Sequence, residues 1–244
     1  MSFPHITPEL ARRVEQAEAA YFAAWANAWK SVRHTADHQD FAGALAVVHD
    51  ETARSTYNRV MAINAHTAAL LDEIIPWYAA HNRVPRFDIT PADAPPSLLL
   101  ALADRGYTQT RFDSAWVSLP TRDTPRSDSY CWPIEAANFA PAARLYADVR
   151  AGPTESQEML FDGMMDLLRG ERFKLYGIWD GKLVALGGMF VSDGVAHLAA
   201  DSTHPEHRGQ GYQTTLLSAR FDQAEILGCD VVAANTPFGS PSLR

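Results

Sequence analysis

Cysteine is nearly absent from this chain of 244 residues: only Cys131 and Cys229 occur, far apart and outside any CxxC spacing. That excludes a disulfide framework and a thiolate-held structural zinc, and both residues are expected to be reduced thiols. Long apolar runs are lacking too. No stretch approaches the roughly 20 consecutive apolar residues that span a bilayer. The start, Met1-Ser2-Phe3-Pro4-His5, has neither the basic opening nor the apolar run of a signal peptide. The chain is therefore read as cytoplasmic, with no membrane partner. Basic residues are in deficit: 21 Lys and Arg, scattered along the chain, stand against 29 Asp and Glu for a formal charge of −8. That balance disfavours nucleic acid as a partner. What is present is globular composition, 47% apolar, enough for one large core or two compact ones.

Periodicity assigns the elements. Leu10, Val14, Ala17, Tyr21, Trp25 and Trp29 recur at steps of three and four, predicting a helix over 7–30 with Thr7 as N-cap and Pro8 in its first turn. Strands are expected at 42–50 and 57–63. A helix follows over 65–81, with Leu70, Ile74 and Trp77 on one face and Pro76 expected to kink or split it. A strand at 86–89 leads through a proline loop to a helix over 97–105, and 108–119 look extended. The Pro-, Thr- and Asp-rich stretch 120–128 is the best linker. It puts a domain boundary near Arg126, dividing the chain into 1–125 and 126–244.

The second half opens with a strand at 130–133 and helices over 136–149 and 156–169. Three apolar runs, 173–179, 183–191 and 195–201, are separated by Asp180-Gly181 and Asp193-Gly194, which predicts an antiparallel meander. A helix over 211–228, with Leu217, Phe221, Ala224 and Gly228 at helical intervals, then leads to a strand at 230–234. Strand, helix and strand make a parallel crossover. The halves form a weak repeat, and after 234 the second copy runs only to Ser240-Pro241, a helix start with almost nothing behind it. A complete second copy would have a further helix and at least one more strand, so an open sheet edge is expected, one that a partner chain would cover.

The chemistry-bearing segment is Arg208-Gly209-Gln210-Gly211, set between a strand and a helix. A helix N-terminus presents free N–H groups and a positive dipole end to an anion, and glycines let a phosphate approach. Neither the Walker pattern nor the Rossmann fingerprint is present. Taken alone, the four residues also fit a tight turn with an exposed arginine.

In context, residues 203–214 resemble the acetyl-CoA loop of the GNAT superfamily of N-acetyltransferases, whose pattern is [QR]-x-x-G-x-[GA]. Here it reads Arg208-Gly209-Gln210-Gly211-Tyr212-Gln213, after the turn His204-Pro205-Glu206. Gln213 replaces a small residue, so its side chain must point away from the pyrophosphate or contact it. The resemblance covers about 129–244, and the first half looks like a degraded second copy without the loop. It implies an α/β (α+β) fold of two GNAT-like halves, each a mixed, mostly antiparallel twisted sheet flanked by helices. It implies acetyl-CoA as cosubstrate, with its pyrophosphate on the N–H groups of Gly209, Gln210, Gly211, Tyr212 and Gln213, near Arg208 and Thr214. The pantetheine arm would pair with Ser202 and Thr203 where strands 195–203 and 230–234 splay, and Asn235 either bonds a pantetheine amide or simply forms a turn.

Transfer to an amine needs a base. The strand before the loop offers His197 and Asp201, which a period of two puts on one face about 13 Å apart, so only one acts directly. His197 also fits a structural residue of an apolar strand, and Asp201 a cap on the loop. The family's frequent general acid is a Tyr in the helix that this second copy lacks. The function expected is acetyl transfer to a primary amine of a small molecule or peptide by a monomer or homodimer. The alternative is a non-catalytic acyl-CoA-binding module or an inactive fragment. No metal is expected: His34 and His38 fit a polar loop and His204-Pro205-Glu206-His207 a turn. Trp25, Trp29, Trp77 and Trp116 are expected in the core, with Tyr21 and Phe22 near a pocket.

Overall fold

The computed structural model describes residues 4–91, 94–120 and 131–238. The chain divides into two compact units, one built mainly on residues 6–114 and the other on 115–235. The linker segment 121–128, the position of Arg126, and Ser240-Pro241 lie outside the described residues.

The first unit starts with α1, Pro8–Arg33. Thr7 Oγ1 accepts the Leu10 N–H at 3.1 Å, and Leu10, Val14, Ala17, Tyr21, Trp25 and Trp29 are all buried. The helix stops where His34 turns left-handed, at φ 58°, and returns its N–H to the Trp29 carbonyl, a C-terminal turn more often made by glycine. β1 (Ala36–Phe41), β2 (Ala44–His49) and β3 (Arg59–Met61) form an antiparallel meander. α2 (Thr67–Ala80) then leads to β4 (Arg86–Phe87), parallel to β3, and α3 (Pro96–Asp104) follows. β1 puts His38 in a strand and not in the expected polar loop, while His34 ends α1. Four consecutive polar residues, Asp37 to Asp40, place polar side chains on both faces and erase the alternation that marks a strand. α2 runs through Pro76 in one piece, so the proline does not split it.

β2 is buried on both faces. Ala44, Ala46 and Val48 pack with Leu71, Ile74 and Tyr78 of α2, while His49 lies edge-on to Trp29 of α1 at 4.7 Å. The Tyr78 hydroxyl, 2.8 Å from the carbonyls of both Val47 and Arg59, ties α2 to the sheet. Tyr21 and Phe22 are buried in the core, with Phe22 beneath the Arg59 guanidinium.

The second unit has a six-stranded sheet in the order β5-β10-β9-β8-β7-β6. Its strands are β5 (Asp113–Ser118), β6 (Cys131–Pro133), β7 (Phe173–Asp180), β8 (Lys182–Ser192), β9 (Val195–Thr203) and β10 (Val231–Pro237). α4 (Phe139–Arg150) and α5 (Gln157–Leu167) precede the meander, and α6 (Tyr212–Ile226) separates β9 from β10. β6 to β9 pair antiparallel, and β10 is parallel to β9. Asp193 and Gly194, with φ 47° and 76°, close the β8–β9 hairpin with the double positive-φ turn that suits strand twist. Both units thus repeat one plan, an antiparallel three-strand meander, a helix and a parallel strand.

Two expectations change here. β5 occupies the far side of β10, so the edge expected to be open is covered by a strand from earlier in the same chain. Trp116, on the edge strand β5, is 53% exposed and is no core residue. No described helix is long and apolar enough to cross a membrane.

His49 makes the first unit sensitive to acid. It is fully buried, and its Nδ1 accepts the Glu51 N–H at 3.2 Å. Burial pushes its pKa down to about 4, against the opposing pull of Glu51 and Asp50. The unfolded chain therefore binds this proton below about pH 6.5 while the folded one does not. Stability present above pH 6.5 is lost as pH falls toward 4, at about 1.4 kcal/mol per pH unit. Thermal unfolding of wild type and His49→Phe between pH 7 and 5 is expected to show a shallower pH slope for the variant. Equal slopes would show that His49 does not set it.

Candidate functional site

The site is built where β9 leaves its neighbour. The β9–β10 ladder runs from Val195↔Val231 to Leu198↔Ala234 and ends there, although β9 continues to Thr203 and β10 to Pro237. Beyond Leu198 the two strands diverge, leaving 199–203 of β9 with no rung to β10. Asn235, exposed, is the first residue of β10 past the last rung.

On its other side β9 carries a bulge at the same level. Leu186 pairs with Ser202 and Gly188 with Ala199, so Ala200 and Asp201 together oppose Gly187. Ala200 takes the extra turn at φ 59°, a conformation uncommon for a residue with a side chain. The bulge corrects the expectation that His197 and Asp201 share a face. Ala196 and Leu198 pack with Leu216 and Ala224 of α6, so His197 between them points to the opposite face, where it is 4% exposed. Asp201 turns to the α6 side and pairs with Arg220 at 2.7 Å. A strict period of two holds only along an unbroken ladder.

After Thr203 the chain forms a tight strap. The His204 N–H donates to the Val184 carbonyl, and Pro205–His207 make one turn of 3-10 helix, the turn expected for His204-Pro205-Glu206-His207. Arg208 is extended and donates from Nε to the Thr203 carbonyl at 3.3 Å. Gly209 and Gly211 are both left-handed at φ 77°, with nothing within 4 Å of an added Cβ, so backbone conformation, not crowding, requires glycine. α6 begins at once, with Gly211 as an N-cap that has no side chain to offer. α1 and α5 are capped by Thr7 and Ser156, whereas α2, α3 and α4 likewise have no side-chain cap. The N–H groups of Thr214 and Thr215 return to the Gly211 carbonyl, and those of Tyr212 and Gln213 before them stand at the positive end of the helix dipole without a side-chain cap. Gln213 and Thr214 are exposed and Ser202 is buried. The Tyr212 hydroxyl donates to Gln210 Oε1 at 3.0 Å, and His207 Nδ1 lies 3.5 Å from Asp180 of the β7–β8 hairpin.

The corresponding junction of the first unit is closed by its own side chains. Between β3 and α2, Asn64 Oδ1 accepts the His66 N–H at 2.8 Å, and Thr67 Oγ1 accepts the Asn64 N–H at 3.1 Å. α2, like α6, has no side-chain cap. Among the described residues no group of three or more His, Cys, Asp or Glu is placed to hold a metal. His38 Nε2 instead lies 3.1 Å from Asn27 Oδ1.

One residue of the site was not visible in the apolar pattern. Arg220 is fully buried, donating from Nε to the Leu216 carbonyl and from a terminal nitrogen to the Gly188 carbonyl, each at 3.0 Å. The buried face of α6 is Thr215, Leu216, Ser218, Arg220 and Ala224, whereas Leu217 is 36% exposed. A charged residue on the inner face shifts the apparent apolar stripe by one position. The Gly187-Gly188 doublet inside an apolar strand is the signal that something bulky lies against it. Near Arg220, burial pushes the Cys131 thiol up to about 11 and the Tyr176 phenol up to about 12, with the guanidinium pulling the other way. The Cys131 thiol is thus protonated at neutral pH and a poor nucleophile.

Comparison with known proteins follows this geometry. Residues 140–238 match the Acetyltransferase (GNAT) family, and among curated proteins none matches the chain. A GCN5-related N-acetyltransferase from Kribbella flavida is similar in structure with a TM-score of 0.61, at 17% identity over 92% of this chain and 85% of that one. A GCN5-related N-acetyltransferase from Sphaerobacter thermophilus gives a TM-score of 0.54, at 16% identity over 99% and 91%. A tandem GNAT protein from the clavulanic acid biosynthesis pathway gives 0.59, at 13% identity over 99% and 91%. At these identities the likeness is one of fold. Residues 140–238 thus form a domain of the GNAT family of acetyltransferases, within a chain that shares the fold of a tandem GNAT protein.

Proposed function

We propose that the chain transfers the acetyl group of acetyl-CoA to a primary amine of a small molecule or peptide, using its second unit. The observation that carries this is the uncapped start of α6 behind two left-handed glycines, beside a β9–β10 ladder that stops at Leu198↔Ala234. These features suit the two ends of one ligand. The N–H groups of Gly209, Gln210, Gly211, Tyr212 and Gln213, with Arg208 and Thr214, meet the pyrophosphate. The freed β9 edge at Ser202 and Thr203, with Asn235, takes the amide-bearing arm as an added strand.

When bound, acetyl-CoA supplies the activated acetyl thioester. The chain's own part is to hold that carbonyl at the gap and to remove a proton from the attacking amine nitrogen as the new C–N bond forms and the C–S bond breaks. Of the two candidate bases we assign Asp201. Its side chain is 40% exposed at the bulge, whereas His197 is sealed between Phe190 and Ala233. With one oxygen held by Arg220, Asp201 keeps the other for the amine proton. A carboxylate there also favours a cationic acceptor over an acidic one. A module that binds acyl-CoA without turnover is the second reading, supported by the same Arg220 contact, which removes part of the carboxylate from use.

Titration calorimetry with acetyl-CoA tests the cofactor site. Wild type is expected to bind one equivalent, and Gly211→Asp to lose at least about 100-fold in affinity, ~2.7 kcal/mol, through backbone strain and a carboxylate facing the pyrophosphate. Unchanged affinity in that variant means the loop does not hold the pyrophosphate. Turnover is tested on an amine panel with acetyl-CoA hydrolysis as control. Asp201→Asn is expected to lower kcat about 10²-fold or more while acetyl-CoA affinity holds, the usual scale for a lost base. Binding without acetylation of any amine by wild type would select the non-catalytic reading.

A further inference from the structure

We propose that Arg220 is a positioning residue: it clamps the β9 bulge from beneath and so sets the gap into which the pantetheine arm fits. The proposal rests on the acetyl-CoA reading above and extends it to a residue outside the loop.

A fully buried guanidinium is uncommon, because leaving water costs an ion several kcal/mol unless good partners replace its hydration. Here each partner belongs to the bulge or to the helix behind it. Nε is held by the Leu216 carbonyl one turn back in α6, and a terminal nitrogen by the Gly188 carbonyl, the residue facing Ala199 where the bulge begins. The second terminal nitrogen lies 2.7 Å from Asp201, the residue that the bulge adds. Gly187, opposite the bulge, makes room: an added Cβ would stand 2.8 Å from the guanidinium carbon and 3.0 Å from Nε. Strand, helix and charge therefore agree on one arrangement, with Ala200 held left-handed and 199–203 directed away from β10.

The consequence is geometric. A bulge bends its strand and increases local twist, and this one starts where the β9–β10 ladder ends. Without the clamp, the Gly188 carbonyl and Asp201 lose their cation, and residues 199–203 are free to lengthen the ladder toward β10 or to fray. Either result removes the prepared edge for an extended ligand without touching the strap 204–211 or the start of α6. Arg220 thus bears on the pantetheine half of the cosubstrate and not on its phosphate half. A residue that merely fills the core would bear on neither, or on both equally through stability.

The experiment compares two ligands on three proteins. Acetyl-CoA and 3′-phosphoadenosine 5′-diphosphate, which lacks pantetheine, are titrated calorimetrically into wild type, Arg220→Met and Gly187→Ala. Met keeps the length of the side chain without its charge, and Ala displaces the guanidinium while retaining it. Both variants are expected to lose acetyl-CoA affinity by about tenfold or more while the nucleotide affinity stays as in wild type. Unchanged affinity for both ligands, or an equal loss for both, overturns the clamp. If one variant fails to fold, the other decides. Amide hydrogen exchange gives a readout that needs no ligand: residues 199–203 are expected to exchange faster in either variant, and unchanged protection counts against the proposal. Failure of wild type to bind either ligand would overturn the acetyl-CoA reading instead, leaving the clamp to be judged by exchange alone.

Discussion

The second unit depends on a parallel ladder that ends early. Four pairs, from Val195↔Val231 to Leu198↔Ala234, hold β9 to β10, and each strand then goes its own way. Backbone N–H and C=O groups are obligatory hydrogen-bonding groups, so a freed strand edge inside a sheet must meet water or a ligand. Ending the ladder in mid-sheet opens a slot that an extended, amide-bearing chain can complete. The same divergence places the strap 204–211 and the start of α6 at the end of that slot, so the two halves of the site share one cause. β5 on the far side of β10 gives that strand pairing away from the slot.

Each unit buries an arginine, and comparing them shows what a buried cation can do. Arg59 of β3 is held by Glu18 at 2.5 Å and Asp88 at 2.7 Å and lies over the Phe22 ring. Its neighbouring acids hold its pKa above the usual arginine value despite burial. That arrangement joins α1 to β3 and to the end of β4 with both charges of the cation's surroundings supplied by side chains. Arg220 has one acidic partner and two main-chain carbonyls. Side-chain partners lock elements to one another; carbonyl partners lock a backbone shape. Replacing a buried ion pair with apolar groups is often neutral for stability, which makes shape the more informative property of Arg220.

Most of the architecture was legible because its elements advertise themselves locally. α1 has a cap, a proline and a single apolar face; the meander has Asp-Gly turns between apolar runs; and the strap has two glycines in left-handed conformations that few other residues adopt. What was hidden is of three kinds. β1 is an edge strand whose four consecutive polar residues, Asp37 to Asp40, leave no alternation to read. The faces of His197 and Asp201 were misjudged because Ala200, an ordinary residue by type, breaks the alternation. The inner face of α6 was displaced because Arg220 reads as a surface residue. The last two errors have one source, since Arg220 is held by the very bulge that Ala200 makes, and nothing short of strand register shows that bulge.

The repeat plan sets two equivalent junctions side by side. In both, a helix follows the third meander strand, and its N-terminal N–H groups need acceptors. In the first unit Asn64 ties its junction together: its carbonyl accepts the Thr67 N–H, its Oδ1 accepts the His66 N–H, and its amide reaches the Ala42 carbonyl, although α2 has no side-chain cap. The second unit puts Gly211 at the same place and leaves the N–H groups of α6 without a side-chain acceptor. A missing cap costs a helix about 1 kcal/mol, and an anion bound there restores that interaction. The difference between the two junctions is therefore one of backbone: two left-handed glycines open the approach to α6, and no glycine lies between β3 and α2.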